Sequence, residues 1–339
     1  ASFNSKITEN NTIYYSMHKE NKTLQQLINE ALNFQIIVVD EELTINDTLI
    51  INKPINFICE KTITYSGQKD KPAILISGQT DFTSCEFKIK LYSDVVYWDN
   101  DFYTGVEIGV MKNAFVIIDE INGFTNGVKL MPNSIGNAYN TFTINKLSDN
   151  KKGLVLTGVN GGWTNENIFQ GGFRIITADS TTPQNKERFG IVITSEDGTY
   201  VNNNSNLFIK PCFEMGSVLI GESCCVKIEH GSENKFLQCR YENQQRFAEI
   251  NNGANNNHFT FSYTKRTPEI LHRNLLPHAT TNNLNLDVPF VKIYDLNLKG
   301  NIAEYTDTLY SARGASLFRI GSSYFTEEIA IPITVENEY

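Results

Sequence analysis

The stretch VKIEHGSENKFLQCRYENQQRFAEI, Val226–Ile250, decides how the chain is read. Short runs rich in Val, Ile and Phe are separated by Gly, Ser, Asn and Glu, and apolar residues alternate with polar ones. That period of two marks strands, and no helical spacing interrupts it. At its centre Asn234-Lys-Phe opens a run that ends in Arg240-Tyr241-Glu242. The triplet either decorates one more strand or forms part of a working surface.

Outward from this stretch the pattern repeats. Asn-x-Phe recurs at Asn113, Asn140, Asn167, Asn206, Asn234 and Asn257, at intervals of 27, 27, 39, 28 and 23 residues. A second element, GVKL at Gly127, GLVL at Gly153 and GIVI at Gly190, often follows; CVKI at Cys225, FAEI at Phe247 and GVEI at Gly105 are variants. Two β-runs per period of roughly 20–30 residues, with no helix between them, signal a solenoid. A leucine-rich repeat has the length but needs a Leu-x-x-Leu-x-Leu skeleton that is absent. A sandwich would not keep Asn-x-Phe at the same place. In a parallel stack, matching positions lie about 4.8 Å apart, so Phe, Ile, Val and Leu form inward columns and Asn pairs with Asn above it.

Earlier in the chain, TLQQLINEAL (Thr23–Leu32) has helical spacing at Leu24, Leu27, Ile28 and Leu32, with Thr23 as cap. β-branched runs between Asn, Pro and charged turns follow. The helix is expected to cover the open end of the stack, which otherwise exposes an unpaired edge. Residues 268–339 break the pattern: three prolines and little periodicity precede FVKIYDLNL, SLFRIG and IAIPITV. The expected division is 1–33 for an N-terminal segment and capping helix, 34–267 for the β-helix, and 268–339 for a linker and a small β cap, binding or oligomerisation region.

Composition agrees with a folded chain of many tight turns. Asn makes up about 12% of the residues, and there are 22 Gly, 15 Tyr and 21 Phe. The net charge of −9, without a Lys/Arg-rich run, argues against nucleic acid as partner. No apolar run approaches membrane-spanning length. The six cysteines lack metal spacing and are expected as buried thiols. No cofactor and no metal site is expected.

The helix-then-strand entry, the rung period and the Asn-x-Phe strand starts resemble the pectin-lyase-like superfamily over residues 24–265. They look most like its bacteriophage tail-spike and tail-fibre depolymerases. The resemblance implies an all-β fold: a single-stranded, right-handed parallel β-helix with an N-terminal capping helix and a small C-terminal β region. It also implies polysaccharide cleavage by hydrolysis or β-elimination, a homotrimer, and an extracellular place on a virion tail. It assigns no residues: neither the polygalacturonase catalytic pattern nor the Asp-rich calcium site of pectate lyases is present.

Aligned on the Asn of Asn-x-Phe, the last three turns stack Cys212, Arg240 and Tyr263, then Phe213, Tyr241 and Thr264, then Glu214, Glu242 and Lys265. Arg174 falls in the row of Tyr241. Glu214 and Glu242 are the expected catalytic carboxylates. Two carboxylates about 5 Å apart suit a retaining glycosidase, and about 6.5–9.5 Å an inverting one. Proximity of like charges would raise one pKa, as a general acid requires. The same charges could instead neutralise one another on a solvated face. The 39-residue turn is expected to bring Glu187, Arg188, Glu196 and Asp197 to this region, with Asp197 a third catalytic candidate. Arg174, Arg240, Tyr241, Trp163, Tyr263 and Lys265 are the expected substrate-binding set: guanidiniums for a carboxylate or phosphate, aromatic rings for sugar faces. His230, in a Gly-bounded turn, is a weaker candidate base.

Three readings stay open on these residues. One is a glycosidase acting on a cell-surface polysaccharide or teichoic-acid-like polymer. The second is a lyase on a uronate polymer, with Arg240, Tyr241 and Lys265 supplying its parts. The third is an adhesin that binds glycan without cutting it.

Overall fold

The computed structural model describes residues 11–78, 82–178, 180–198, 203–216, 220–242, 246–255, 257–264, 269–272, 283–284, 292–294 and 333–334. Over these residues the chain is all-β apart from two short helical pieces, and its strands build long parallel sheets. One sheet stacks Asn56–Cys59, Glu86–Ser93, Phe115–Asn122, Thr141–Ile144, Ile168–Gln170, Leu207–Ile209 and Lys235–Tyr241. A second stacks Ile74–Ile76, Thr104–Ile108, Asn126–Leu130, Lys152–Leu156, Phe189–Ile193, Cys224–Ser232 and Arg246–Asn255. A third, short sheet pairs Asn137–Ala138 with Thr164–Asn165. The chain visits the sheets in rotation, which is a β-helix-like architecture. No helix among the described residues is long and apolar enough to cross a membrane.

Columns of identical residues hold the stack together. Phe142, Phe169, Phe208, Phe236 and Phe259 are fully buried, their rings near-parallel with centroids 4.7, 4.8, 4.4 and 4.8 Å apart. Beside them Asn140, Asn167, Asn206, Asn234 and Asn257 form a buried ladder. The backbone N–H and Nδ2 of each Asn donate to Oδ1 of the next, at 2.9–3.1 Å. Each Nδ2 also reaches a turn carbonyl, as Asn206 does to Thr164 O at 2.9 Å. The ladder satisfies corner groups that neither water nor sheet pairing reaches. The second repeated element is a column of close approach: a Cβ on Gly153 or Gly190 would lie 2.8 or 2.4 Å from the carbonyl oxygen of the next turn.

Asn113 does not belong to this ladder. Phe115 pairs with Thr141, and Val116 with Phe142. Phe115 is therefore 54% exposed, and Ala114 donates to Asn140 Oδ1 in the ladder position. The motif is spelled alike but sits one residue out of register, and one residue reverses the face.

The helix Leu24–Glu30 is shorter than its apolar spacing predicts. Thr23 and Gln26 form a reciprocal capping box, and Leu24, Leu27 and Ile28 are buried. Leu32 lies beyond the end and is 70% exposed. Gln25 uses its side-chain amide as a substitute strand: Oε1 accepts from Ile50 N at 2.7 Å, and Nε2 donates to Ile50 O at 3.0 Å. That pairs the edge of Leu49–Ile51, where the second sheet begins. The edge strand Ile36–Val39 of the first sheet is covered by Thr12–Tyr14. At the other end, Glu269–His272 and Lys292–Tyr294 continue the second sheet in parallel, Ile333–Thr334 pairs antiparallel with Lys292–Tyr294, and Asn283–Leu284 continues the first sheet; the remaining residues of the expected C-terminal region lie outside the described residues.

Candidate functional site

Past the Phe column three turns bend at a non-glycine residue of positive φ, Phe173, Lys210 and Gln238 at 37°, 53° and 55°. The strands Lys146–Ser148, Arg174–Ile176 and Cys212–Glu214 and the end of Lys235–Tyr241 lie beyond the corner. Their register is Lys146–Arg174–Cys212–Arg240, then Leu147–Ile175–Phe213–Tyr241, then Ser148–Ile176–Glu214. Glu242 continues the last row, its N–H donating to Phe213 O at 3.2 Å. The middle row points into the core and the outer two face away from it.

Two expectations fail on this register. Arg174 aligns with Cys212 and Arg240, not with Tyr241, because the Gly171-Gly172 turn adds one residue. Tyr241 is not on the surface. It is 2% exposed, with its ring edge-on to Phe247 at 5.7 Å. Alternation along one strand puts Arg240 and Glu242 outside and Tyr241 inside.

Glu214 and Glu242 do come together. Atoms of Cys212, Glu214 and Glu242 lie within 4.8 Å of one another. Each carboxylate has a guanidinium: Arg174 Nη2 donates to Glu214 Oε2 at 3.1 Å, Arg174 Nε to Oε1 at 3.4 Å, and Arg240 Nε donates to Glu242 Oε1. Cys212 Sγ donates to Glu214 Oε1 at 3.5 Å. Partial burial alone would raise the Glu214 carboxyl. The hydrogen bonds from Arg174 and Cys212 and the charges of Arg174 and Arg240 overcome it and hold the pKa below the ordinary range. Burial first, then the Glu214 charge, pushes the Cys212 thiol to about 12. The expected raised carboxyl is thus not Glu214, because arginines outweigh like-charge repulsion. A thiol held protonated beside two guanidinium-paired carboxylates is also a poor cation cage.

Among the described residues, the charged side chains of the long insertion do not reach this face; only Thr177, at its start, touches it, its N–H donating to Glu214 O at 3.1 Å. It leaves from Ile176 and rejoins in the second sheet at Phe189, so it spans the corner between the two sheets. Ala178 N donates to Asp149 Oδ1 at 2.9 Å, Lys186 pairs with Asp99 at 2.8 Å, and Glu187 Oε1 accepts from Glu222 N at 2.7 Å. Arg188 is buried over the Trp98 ring. After Phe189–Ile193, Glu196 pairs with Lys129 at 2.7 Å, and Asp197 Oδ2 accepts from Asn160 N at 2.8 Å. Asp197 is therefore not among the groups gathered at Glu214 and Glu242. Trp163 is half-buried beside the third sheet, packed on Gly136 with Lys112 Nζ 5.6 Å from its ring centre. His230 is in the strand Cys224–Ser232 rather than a turn. Tyr263 is paired with Arg240 by its backbone, but its side chain and the whole of Lys265 lie outside the described residues.

One group near the patch escaped the repeat alignment. Glu120 accepts from Tyr92 Oη, from Ser148 Oγ at 2.7 Å and from Lys146 Nζ at 2.7 Å. Lys146 and Ser148 stand at the same offsets from Asn140 as Cys212 and Glu214 do from Asn206, so one further aligned turn finds them. A register shift between Ile118 and Glu120 hides Glu120 itself.

An all-β parallel stack with a charged, shallow outer face defines the class of fold. No family model and no curated protein matches the sequence. Among solved structures the chain is similar to ORF18 of Geobacillus virus E2, with a TM-score of 0.54 and 11% identity over 90% of this chain and 62% of that one. At that identity the likeness is one of fold, and the chain spans 62% of the viral protein's length.

Proposed function

We propose that the chain is a polysaccharide depolymerase of a viral tail, acting outside the cell on a bacterial surface glycan or teichoic-acid-like polymer. The observation that carries the reading is the juxtaposition of Glu214 and Glu242 on an open sheet face, flanked by Arg174 and Arg240. The approach of the two side chains within 4.8 Å is near the roughly 5–5.5 Å of retaining glycosidases. Glu214, held ionised by Arg174, takes the role of nucleophile. Glu242 is the second carboxylate of the pair, placed beside the bond to be cleaved, and its partner Arg240 is placed to meet an anionic group on the polymer. The likeness in fold to a viral protein supports the tail setting. The finer architecture belongs to the same proposal: a single right-handed coil over 34–267 with the segment and capping helix 1–33 before it, 268–339 as a linker with a small β cap, binding or oligomerisation region, and assembly as a homotrimer.

Elimination is the second reading, favoured by the low pKa of Glu214. A base ionised at neutral pH beside two guanidiniums suits removal of a proton next to a uronate carboxyl. The test is a reducing-end assay on bacterial surface polysaccharides, with ultraviolet absorbance followed in parallel and Glu242→Gln beside the native chain. New ends without absorbance, lost in the variant, support the hydrolase. Absorbance rising with the ends moves the reading to the lyase. Tight binding without new ends means an adhesin.

A further inference from the structure

The corner that carries the Asn ladder has an outer side. The residues before four of the ladder Asn have positive φ: Tyr139, Glu166, Ser205 and Glu233 at 60°, 55°, 56° and 59°. With the ladder Asn turned inward, the residues on either side of it point outward. Between successive turns this leaves a groove of about 410 Å³, lined by Glu166, Ile168, Ser205, Leu207, Glu233 and Lys235 over the buried Asn167 and Asn206.

Its charges differ from those of the carboxylates toward the far end of the same strands. On the adjoining outer face Asp119, Glu120, Glu214 and Glu242 are each paired with a Lys or Arg. In the groove, among the described residues, Glu166 and Lys235 make no side-chain hydrogen bond or ion pair, and Glu233 has only Ser205 Oγ at 3.4 Å. Glu166 and Glu233 stand two turns apart, about 10 Å by strand spacing. A sugar ring with its hydroxyls fits between side chains carried at that backbone spacing. Carboxylates accept strongly from hydroxyl donors. Ile168, 37% exposed, and Leu207 offer the apolar surface that a ring face needs.

We infer that this groove is a second saccharide subsite, selective for an uncharged, hydroxyl-bearing sugar unit. The inference rests on the polysaccharide reading above and divides the labour within it. Two carboxylates against one lysine repel a uronate, whereas the Arg174 and Arg240 patch, its charges balanced by Glu214 and Glu242, offers guanidinium donors without that net repulsion. The strand Lys235–Tyr241 carries both places: Lys235 and Arg240 are five residues apart, at most about 17 Å. A glycan lying along this strand would set an uncharged unit in the groove and an anionic one at the arginines.

The test is calorimetric titration of the full chain with N-acetylated chitotetraose, maltotetraose and tetragalacturonate. It is repeated on Glu166→Gln/Glu233→Gln and on Arg174→Gln/Arg240→Gln, with circular dichroism to confirm folding. The expected result is that at least one uncharged tetrasaccharide binds, weakened about tenfold or more by the groove variant and unchanged by the arginine variant. Tetragalacturonate should show the opposite dependence. Uncharged sugars that bind equally to the groove variant, or do not bind at all while tetragalacturonate does, overturn the subsite and leave the depolymerase reading standing. No saccharide bound, together with silence in the reducing-end assay, overturns both.

Discussion

The side-chain oxygen of Asn206 accepts two hydrogen bonds from Asn167, from its backbone N–H and from its Nδ2, each at 3.1 Å. Both residues are fully buried, so removing the acceptor strands two donors where water does not reach. Asn206→Ala is expected to cost about 3 kcal/mol, at roughly 1–3 kcal/mol per unsatisfied group. Asn113→Gly, in the same sequence motif but outside the ladder, should change stability by less than about 0.5 kcal/mol. Urea unfolding of the two variants decides it.

The Phe column makes a parallel forecast. Phe208 is fully buried between Phe169 and Phe236, so Phe208→Ala should cost about 3–5 kcal/mol. Phe115→Ala removes a half-exposed ring and should stay within about 0.5 kcal/mol. Equal losses in thermal melts would mean that the register assigned to Phe115 is wrong.

The Arg174–Glu214 pair should matter more to pH dependence than to stability. Both side chains are substantially exposed, so the pair contributes less than about 1 kcal/mol. Because the folded pKa of Glu214 is depressed, its contribution is full above the unfolded value of 4.5 and is lost as pH falls through the lower folded value. Arg174→Gln should return the pKa toward 4.5. The acid limb of any depolymerase activity should then move to higher pH, with little change in melting temperature at pH 7. A limb that stays in place would remove Glu214 from the chemistry.

Glu107 runs the other way. Burial, with the Glu196 charge, raises its pKa against the opposing pull of Lys129. A raised carboxyl is destabilising once ionised: stability falls as pH climbs from the unfolded value through the folded one. Glu107→Gln should therefore melt higher than the native chain at pH 7, by a few degrees at about 2–4 °C per kcal/mol, and the difference should vanish below pH ~4. Melts at both pH values check the sign.

Much of the architecture was legible because stacking repeats itself in sequence. An Asn that donates to the Asn above it and a Phe that stacks on the next Phe must recur once per turn, so Asn140, Asn167, Asn206, Asn234 and Asn257 announce the ladder. The juxtaposition of Glu214 with Glu242 followed from the same offsets. Facing is less legible, since Asn113-Ala-Phe115 has the motif without the register, and alternation turns Tyr241 inward between its two charged neighbours. The path of the long insertion is not periodic at all. Its anchors, Asp149, Trp98 and Glu222, come from three other turns.

The sequence by itself determined the parallel, stacked, all-β class, because each turn repeats the backbone and packing demands of the turn before. Only the tertiary structure decided which side chains face outward, which carboxylates are paired, and that Glu166 and Glu233 border a groove. Those outcomes depend on one-residue differences in turn length and on contacts between distant turns. A local pattern with a period of two does not record them.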